Sequence, residues 1–132
     1  MIKLTKRQIL LLHDAILEET GGMNGVRDSA ALDAAISAPF ATFYGEDLFP
    51  SDIDKIARMS YGLTVNHAFV DGNKRIGAMV LQILLHENGY SLQIKEEELV
   101  EMFLSVAKGQ ADDKDLVAWI QILRKQKNEN GR

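Results

Sequence analysis

Cysteine is absent from this sequence, so neither a disulfide framework nor a thiolate metal site is open to it, and a reducing cytoplasm is the simplest compartment. No apolar stretch is long enough to span a bilayer, so no membrane association is expected. Positive charge is not in excess. With 15 Lys and Arg against 19 Asp and Glu the net charge is −4, which argues against direct nucleic-acid binding, since that needs a basic footprint to displace counterions. Internal repeats and low-complexity segments are also missing. The N-terminal run from Met1 to Leu12 is basic and then apolar, but His13 and Asp14 end it too early for the apolar region of a signal peptide.

What remains is a chain of 132 residues, 46% hydrophobic and 26% charged, suited to one soluble domain with a buried core. Helical spacing dominates it. Thr5-Lys6-Arg7-Gln8 has the form of a capping box, after which Ile9, Leu12, His13, Ile16 and Leu17 share one face until Gly21-Gly22 ends the helix. His13 there reads as a core or groove-edge histidine, because no second ligand lies at i+4. Asp28-Ser29 caps a shorter helix through Leu32, Ala35 and Ile36 that stops before Pro39. Ser51-Asp52-Ile53-Asp54 opens the next, and Ile53, Ile56, Ala57, Ser60 and Tyr61 carry it to Asn66. Lys74 to Asn88 gives the most apolar helix, with Ile76, Met79, Val80, Ile83 and Leu84 buried, Gly89 as its cap and His86 on the surface. Glu96 to Ala107 and Asp112 to Lys125 form two more, with Glu96-Glu97-Glu98 as a favourable first turn and Trp119 buried in the last. The expectation is an all-α bundle of about six helices over residues 1–126, with 127–132 a frayed tail.

Between Pro39 and Pro50 neither period holds, so Phe40 to Phe49 reads as a loop or short hairpin. Its aromatics either plug the core or stand on an exposed flap. The densest chemistry joins the two central helices, in the run His67-Ala68-Phe69-Val70-Asp71-Gly72-Asn73-Lys74-Arg75. Imidazole titrates nearest neutrality, so His67 is a candidate base. Asp71 offers the hard oxygen that Mg²⁺ takes when it bridges a protein to nucleotide phosphates. Gly72 lets backbone approach a bulky anion, and the helix that resumes at Lys74 presents unpaired amides, to which Lys74 and Arg75 add fixed positive charge. A capped turn with no chemistry is the competing reading of the same residue types.

This run resembles the Fic/Doc signature His-x-Phe-x-(Asp/Glu)-Gly-Asn-(Gly/Lys)-Arg, matching its fixed positions at His67, Phe69, Asp71, Gly72, Asn73 and Arg75. Upstream, Gly21-Gly22-Met23-Asn24-Gly25-Val26-Arg27-Asp28 resembles the glycine turn near the start of Doc-like proteins. The resemblance implies the Fic fold, all-α with a flap or hairpin ahead of the motif helices, and transfer of part of a nucleotide from ATP to a protein hydroxyl. It further implies His67 as general base, Asp71 as the Mg²⁺ ligand, Gly72, Asn73, Lys74 and Arg75 as nucleotide and phosphate ligands, and Phe69 as a structural anchor. The flap that would dock an extended target segment by backbone pairing falls on Phe43, Tyr44, Gly45, Glu46 and Asp47.

Two departures sort the subclasses. Adenylylating Fic members have a second Gly where this chain has Lys74, and a second Arg where it has Ala78; Doc-like toxins share the Lys, lack that Arg, and pass on the γ-phosphate. Gly72 is shared with the adenylylating side. The resemblance therefore favours a Doc-like toxin acting as a protein kinase on a threonine of elongation factor Tu, with adenylyl transfer and a catalytically quiet binding module as the alternatives. The nearest approach to the family's inhibitory Ser/Thr-x-x-x-Glu-Gly/Asn helix is Thr42-Phe43-Tyr44-Gly45-Glu46-Asp47, which ends in Asp. A separate Phd-like antitoxin, docking through a segment that folds on binding, is the implied partner.

Overall fold

Six helices and one hairpin make up residues 1–130, the part of the chain that the computed structural model describes. The helices are α1 (Lys6–Thr20), α2 (Ser29–Ser37), α3 (Asp52–Val65), α4 (Asn73–Glu87), α5 (Glu96–Ala107) and α6 (Asp113–Asn130). A single 3₁₀ turn, Ala38–Phe40, leads from α2 into the two short strands β1 (Thr42–Phe43) and β2 (Glu46–Asp47). This is the all-α bundle with a hairpin before the motif helices that the sequence predicts.

Local chemistry sets the helix starts. At α1 the Thr5 hydroxyl accepts from the Gln8 amide at 3.1 Å while the Gln8 side chain accepts from the Thr5 amide at 2.8 Å. At α3, Ser51 and Asp54 make the same reciprocal pair. The Asp28 carboxylate accepts from the Ala31 amide at 3.0 Å to start α2.

The centre of the molecule is the contact between α3 and α4. Gly77 permits it, because a β-carbon there would overlap the Thr64 hydroxyl and lie 2.9 Å from the Ser60 carbonyl oxygen. Ser60 and Thr64 are buried, and their hydroxyls bond back to the Ile56 and Ser60 carbonyls at 2.9 and 2.8 Å, so the close crossing strands no polar group. Around this pair α2, α5 and α6 pack on α3, and α1 and α5 pack on α4. Ile9, Leu32, Ile56, Leu63, Ile76, Leu84, Phe103 and Leu116 form one continuous core across all six helices. The loop between α3 and α4 is thus hung from two closely packed helices.

Two expectations are corrected and one open alternative is decided. Met79 is not core: it is 38% exposed, because α4 turns Ile76, Val80 and Leu84 inward and leaves Met79 on the side facing a groove. Trp119 is only half-buried, at the edge between α5 and α6 beside Glu101 and Met102. Phe43 and Tyr44 do not plug the core, since both stand in solvent, whereas Phe40 and Phe49 are half-buried. The helix α6 itself extends through Lys127 to Asn130, into the segment expected as a tail. The Lys127 ammonium donates to the Ser91 carbonyl, which anchors that last turn to the chain after α4, and a cation there suits the helix dipole. Residues 131 and 132 of the expected tail lie outside the described residues.

Candidate active site

His67 is the first residue past the C-terminal cap of α3, and its φ of 53° puts it in the left-handed region. Glycine is the usual occupant of such a position, and a side chain there costs about 1–2 kcal/mol. The His67 side chain is exposed and its carbonyl accepts from Arg27 Nη1 at 3.3 Å. Burial of the side chain therefore does not offset the backbone cost, and the exposed imidazole stands at the cleft it lines.

The next residues are fixed by the glycine turn and by α1. Ala68 and Phe69 are buried. The Ala68 carbonyl accepts from the amides of Arg27 and Asp28 at 2.8 and 3.0 Å, Val70 donates to the Gly25 carbonyl at 3.1 Å, and Val26 pairs with Phe69 as an isolated antiparallel bridge. Asn73 closes on the Phe69 backbone from the other side, its Oδ1 accepting from the Phe69 amide and its Nδ2 donating to the Phe69 carbonyl, both at 3.0 Å. Those two bonds hold the Asn73 carboxamide against the loop and leave its second Nδ2 proton without a partner among them. His13 lies beneath, its ring stacked on Phe69 at 3.7 Å and 12°, with Nε2 donating to the Asp71 carbonyl at 2.7 Å.

Asp71 points the other way. Its Oδ1 accepts from the Gly72 amide at 2.7 Å and from Arg75 Nη2 at 3.4 Å, and its Oδ2 accepts from the Met23 amide at 3.3 Å. The Gly72 amide first, then the Met23 amide, hold the carboxyl below its ordinary value of 3.8, with Arg75 adding to them. The side chain is 44% exposed, and one lone pair of the roughly four on a carboxylate has no protein donor. Among the described residues no group of three or more His, Asp or Glu converges into a metal cage. A single half-exposed carboxylate fits Mg²⁺, which commonly takes one or two from protein and the rest from water and phosphate. Arg75 also donates to the Thr20 hydroxyl and to the Gly21 carbonyl, so it ties Asp71 to the end of α1.

Gly72 caps α4 with φ 80°, and a β-carbon there would stand 3.2 Å from Leu17 and 3.3 Å from His13 Nε2. Helix geometry leaves the amides of Asn73, Lys74 and Arg75 without an acceptor inside α4. Lys74 is exposed and forms no ion pair among the described residues. His67, Asp71, Gly72, Asn73, Lys74 and Arg75 all line one cleft of about 300 Å³, together with Thr64, Val70 and Ala107.

A base candidate, a lone acidic ligand and a cationic helix start on one cleft accord with a sequence profile described as that of the Fic/DOC family, which matches residues 3–85. The chain belongs to the Fic/DOC family. It is similar to a protein named "Toxin Doc" from Mycolicibacterium smegmatis, with 47% identity over 72 residues, 54% of this chain and 55% of that one. The chain thus spans about half the length of the curated relative it matches.

Within this Fic/DOC domain the hairpin stands apart from the cleft. Thr42 faces Asp47 and Phe43 faces Glu46 across the ladder, and Tyr44 and Gly45 make the turn with φ of 51° and 80°. Tyr44 is 92% exposed, its ring set edge-on against Phe43. None of Phe43, Tyr44, Gly45, Glu46 and Asp47 lines the cleft that holds His67. Lys74 and Arg75 also border a second hollow of about 350 Å³ between α1, α4 and α5, floored by Ile16, Ala78, Met79, Leu99, Val100 and Phe103.

The sequence alone did not show the contacts that Thr20, Arg27 and the Met23 amide make with the motif run, nor that His13, core or groove-edge by its spacing, bonds to the motif loop. A polar residue on the apolar face of α1 was the available signal, because a buried imidazole needs a partner.

Proposed function

We propose that this chain is a Doc-like toxin that transfers the γ-phosphate of ATP to a hydroxyl of a protein target, a threonine of elongation factor Tu, and so halts translation in the cytoplasm. The observation that carries this reading is Lys74: an exposed cation without an ion pair among the described residues, at the start of α4, on the same cleft as His67 and Asp71. His67 accepts the proton of the target hydroxyl, the freed oxygen attacks the γ-phosphorus, and ADP leaves. Lys74 and the open amides of α4 neutralise charge that builds on the phosphates, and Arg75 adds to them once it exchanges Asp71 for phosphate. Asp71 would hold Mg²⁺, which when bound supplies further neutralisation.

Gly72 does not favour adenylyl transfer, because its φ of 80° and its closeness to His13 and Leu17 account for glycine there on packing grounds alone. A quiet binding module would have no use for an exposed histidine held at a costly φ. The partner in this reading is a Phd-like antitoxin, and the apolar hollow between α1, α4 and α5 suits an amphipathic segment of such a protein. Among the described residues no helix is long and apolar enough to cross a membrane.

The test is label position. The chain is incubated with purified elongation factor Tu, Mg²⁺ and ATP labelled at the γ- or the α-phosphate, followed by intact-mass analysis of the target. Label from γ and a gain of one phosphate mass are expected. Label from α with a gain of one AMP mass would establish the adenylyl alternative, and no gain from either would leave the quiet module.

A further inference from the structure

We infer that His13, a residue of α1 lying outside the motif, is the positioning residue of the active-site loop, and that it acts through a hydrogen bond to the Asp71 carbonyl and not through its bulk. The imidazole is 1% exposed and lies flat on the Phe69 ring. A carbonyl oxygen only accepts, so Nε2, 2.7 Å away, must carry the proton. The bond falls on the one residue of the loop whose side chain faces the cleft with a charge that the transfer needs. Asp71 is then held at both ends, by His13 at its carbonyl and by the Gly72 and Met23 amides at its carboxylate.

The rest of the loop leaves no substitute for this donor. The Ala68 carbonyl, the Phe69 amide and carbonyl, and the Val70 amide already have partners in the glycine turn or in Asn73. The Asp71 carbonyl has His13 alone among the side chains of the described residues. It sits directly before Gly72, whose left-handed φ sets the direction in which α4 departs and hence where Lys74 and the helix amides point. Without the bond that half-buried carbonyl would seek water or another donor, and the peptide joining Asp71 to Gly72 would turn. Ordinary core packing asks only that the ring fill space against Phe69 and Leu17.

The two roles predict opposite orders for two variants. His13→Phe keeps a stacking ring and removes the donor; His13→Gln keeps a donor of suitable reach and removes the ring. If His13 positions the loop, amide hydrogen exchange at Phe69, Val70 and Gly72 speeds up by about tenfold in His13→Phe and stays within about threefold of wild type in His13→Gln, each compared at its own global stability. Nitrogen NMR of the wild type should also show His13 protonated at Nε2, with slow solvent exchange. The reverse order of the two variants, or an Nε2 without a proton, overturns the inference.

The functional half rests on the proposed transfer: His13→Phe should lower kcat at least tenfold with KM for ATP little changed, and His13→Gln should restore most of it. The exchange and NMR readouts need no activity, so an inactive wild type would defeat the proposed function while leaving this inference standing or falling on the loop. Equal kcat in wild type and His13→Phe, with transfer intact, would overturn it.

Discussion

Arg75 Nη2 lies 3.4 Å from Asp71 Oδ1, one helical turn along the chain, so the residue assigned to phosphate and the residue assigned to metal hold each other. Both side chains are more than a third exposed, and an ion pair so placed contributes little to stability. Its effect is geometric. Together with the Thr20 hydroxyl and the Gly21 carbonyl it keeps the guanidinium beside the cleft.

Replacing His67 should separate stability from activity. Both His67→Ala and His67→Gly are expected to abolish transfer and growth arrest, because neither leaves a base. His67→Gly should be the more stable of the two by about 1 kcal/mol in urea denaturation, since glycine takes a φ of 53° without strain. Retained toxicity in either variant would remove His67 from the chemistry.

The acid side of the stability profile should report Asp71. A carboxyl held below 3.8 in the folded chain binds fewer protons there than in the unfolded one, so its contribution is complete at neutral pH. It declines as pH falls below about 5 and is lost once pH passes beneath the lowered folded value. The difference in urea midpoint between wild type and Asp71→Asn should therefore shrink from pH 7 to pH 3. A difference that stays constant would mean that only the shape of the side chain matters.

Lys74→Gly tests the subclass. A charge-assisted contact to phosphate in a dehydrated cleft commonly contributes a few kcal/mol, so γ-phosphate transfer should fall about a hundredfold, with the fold unchanged. Transfer from γ-labelled ATP by wild type and variant, measured side by side, decides it. Equal rates would make Lys74 a bystander and leave the kinase reading resting on Ala78 alone.

Gly77→Ala should destabilise the chain although it improves helix propensity. The gain is about 1 kcal/mol, whereas forcing a β-carbon to 2.9 Å from the Ser60 carbonyl oxygen must push apart two backbones, an overpacking cost of about 1–3 kcal/mol or more. Thermal denaturation gives the sign, and a raised Tm would show that α3 and α4 can separate at no cost.

Helix existence was legible in the sequence wherever a side chain signals to its own neighbours. Thr5 with Gln8, Ser51 with Asp54 and Asp28 with the Ala31 amide are contacts three residues apart, so the starts of α1, α3 and α2 are local facts. Burial was less so. Met79 and Trp119 are as apolar as their buried neighbours, and which side of α4 or α6 faces a groove depends on how far the next helix stands off. The motif named the cleft residues but could not say that Asn73 faces Phe69 while Lys74 is free, because one residue of helix rotation separates the two outcomes.

By itself, then, the sequence determined the order of six helices, the irregular segment before the central pair and the identity of the run that carries His67, Asp71 and Lys74. Each of these follows from caps, periodicity and adjacency, which act over a few residues. The tertiary structure alone decided that His13 reaches a carbonyl 58 residues away, that Arg75 meets Thr20 across 55, and that Arg27 steadies His67 across 40. No local rule encodes these contacts, because each exists only after α1 and the glycine turn have packed against the α3–α4 pair.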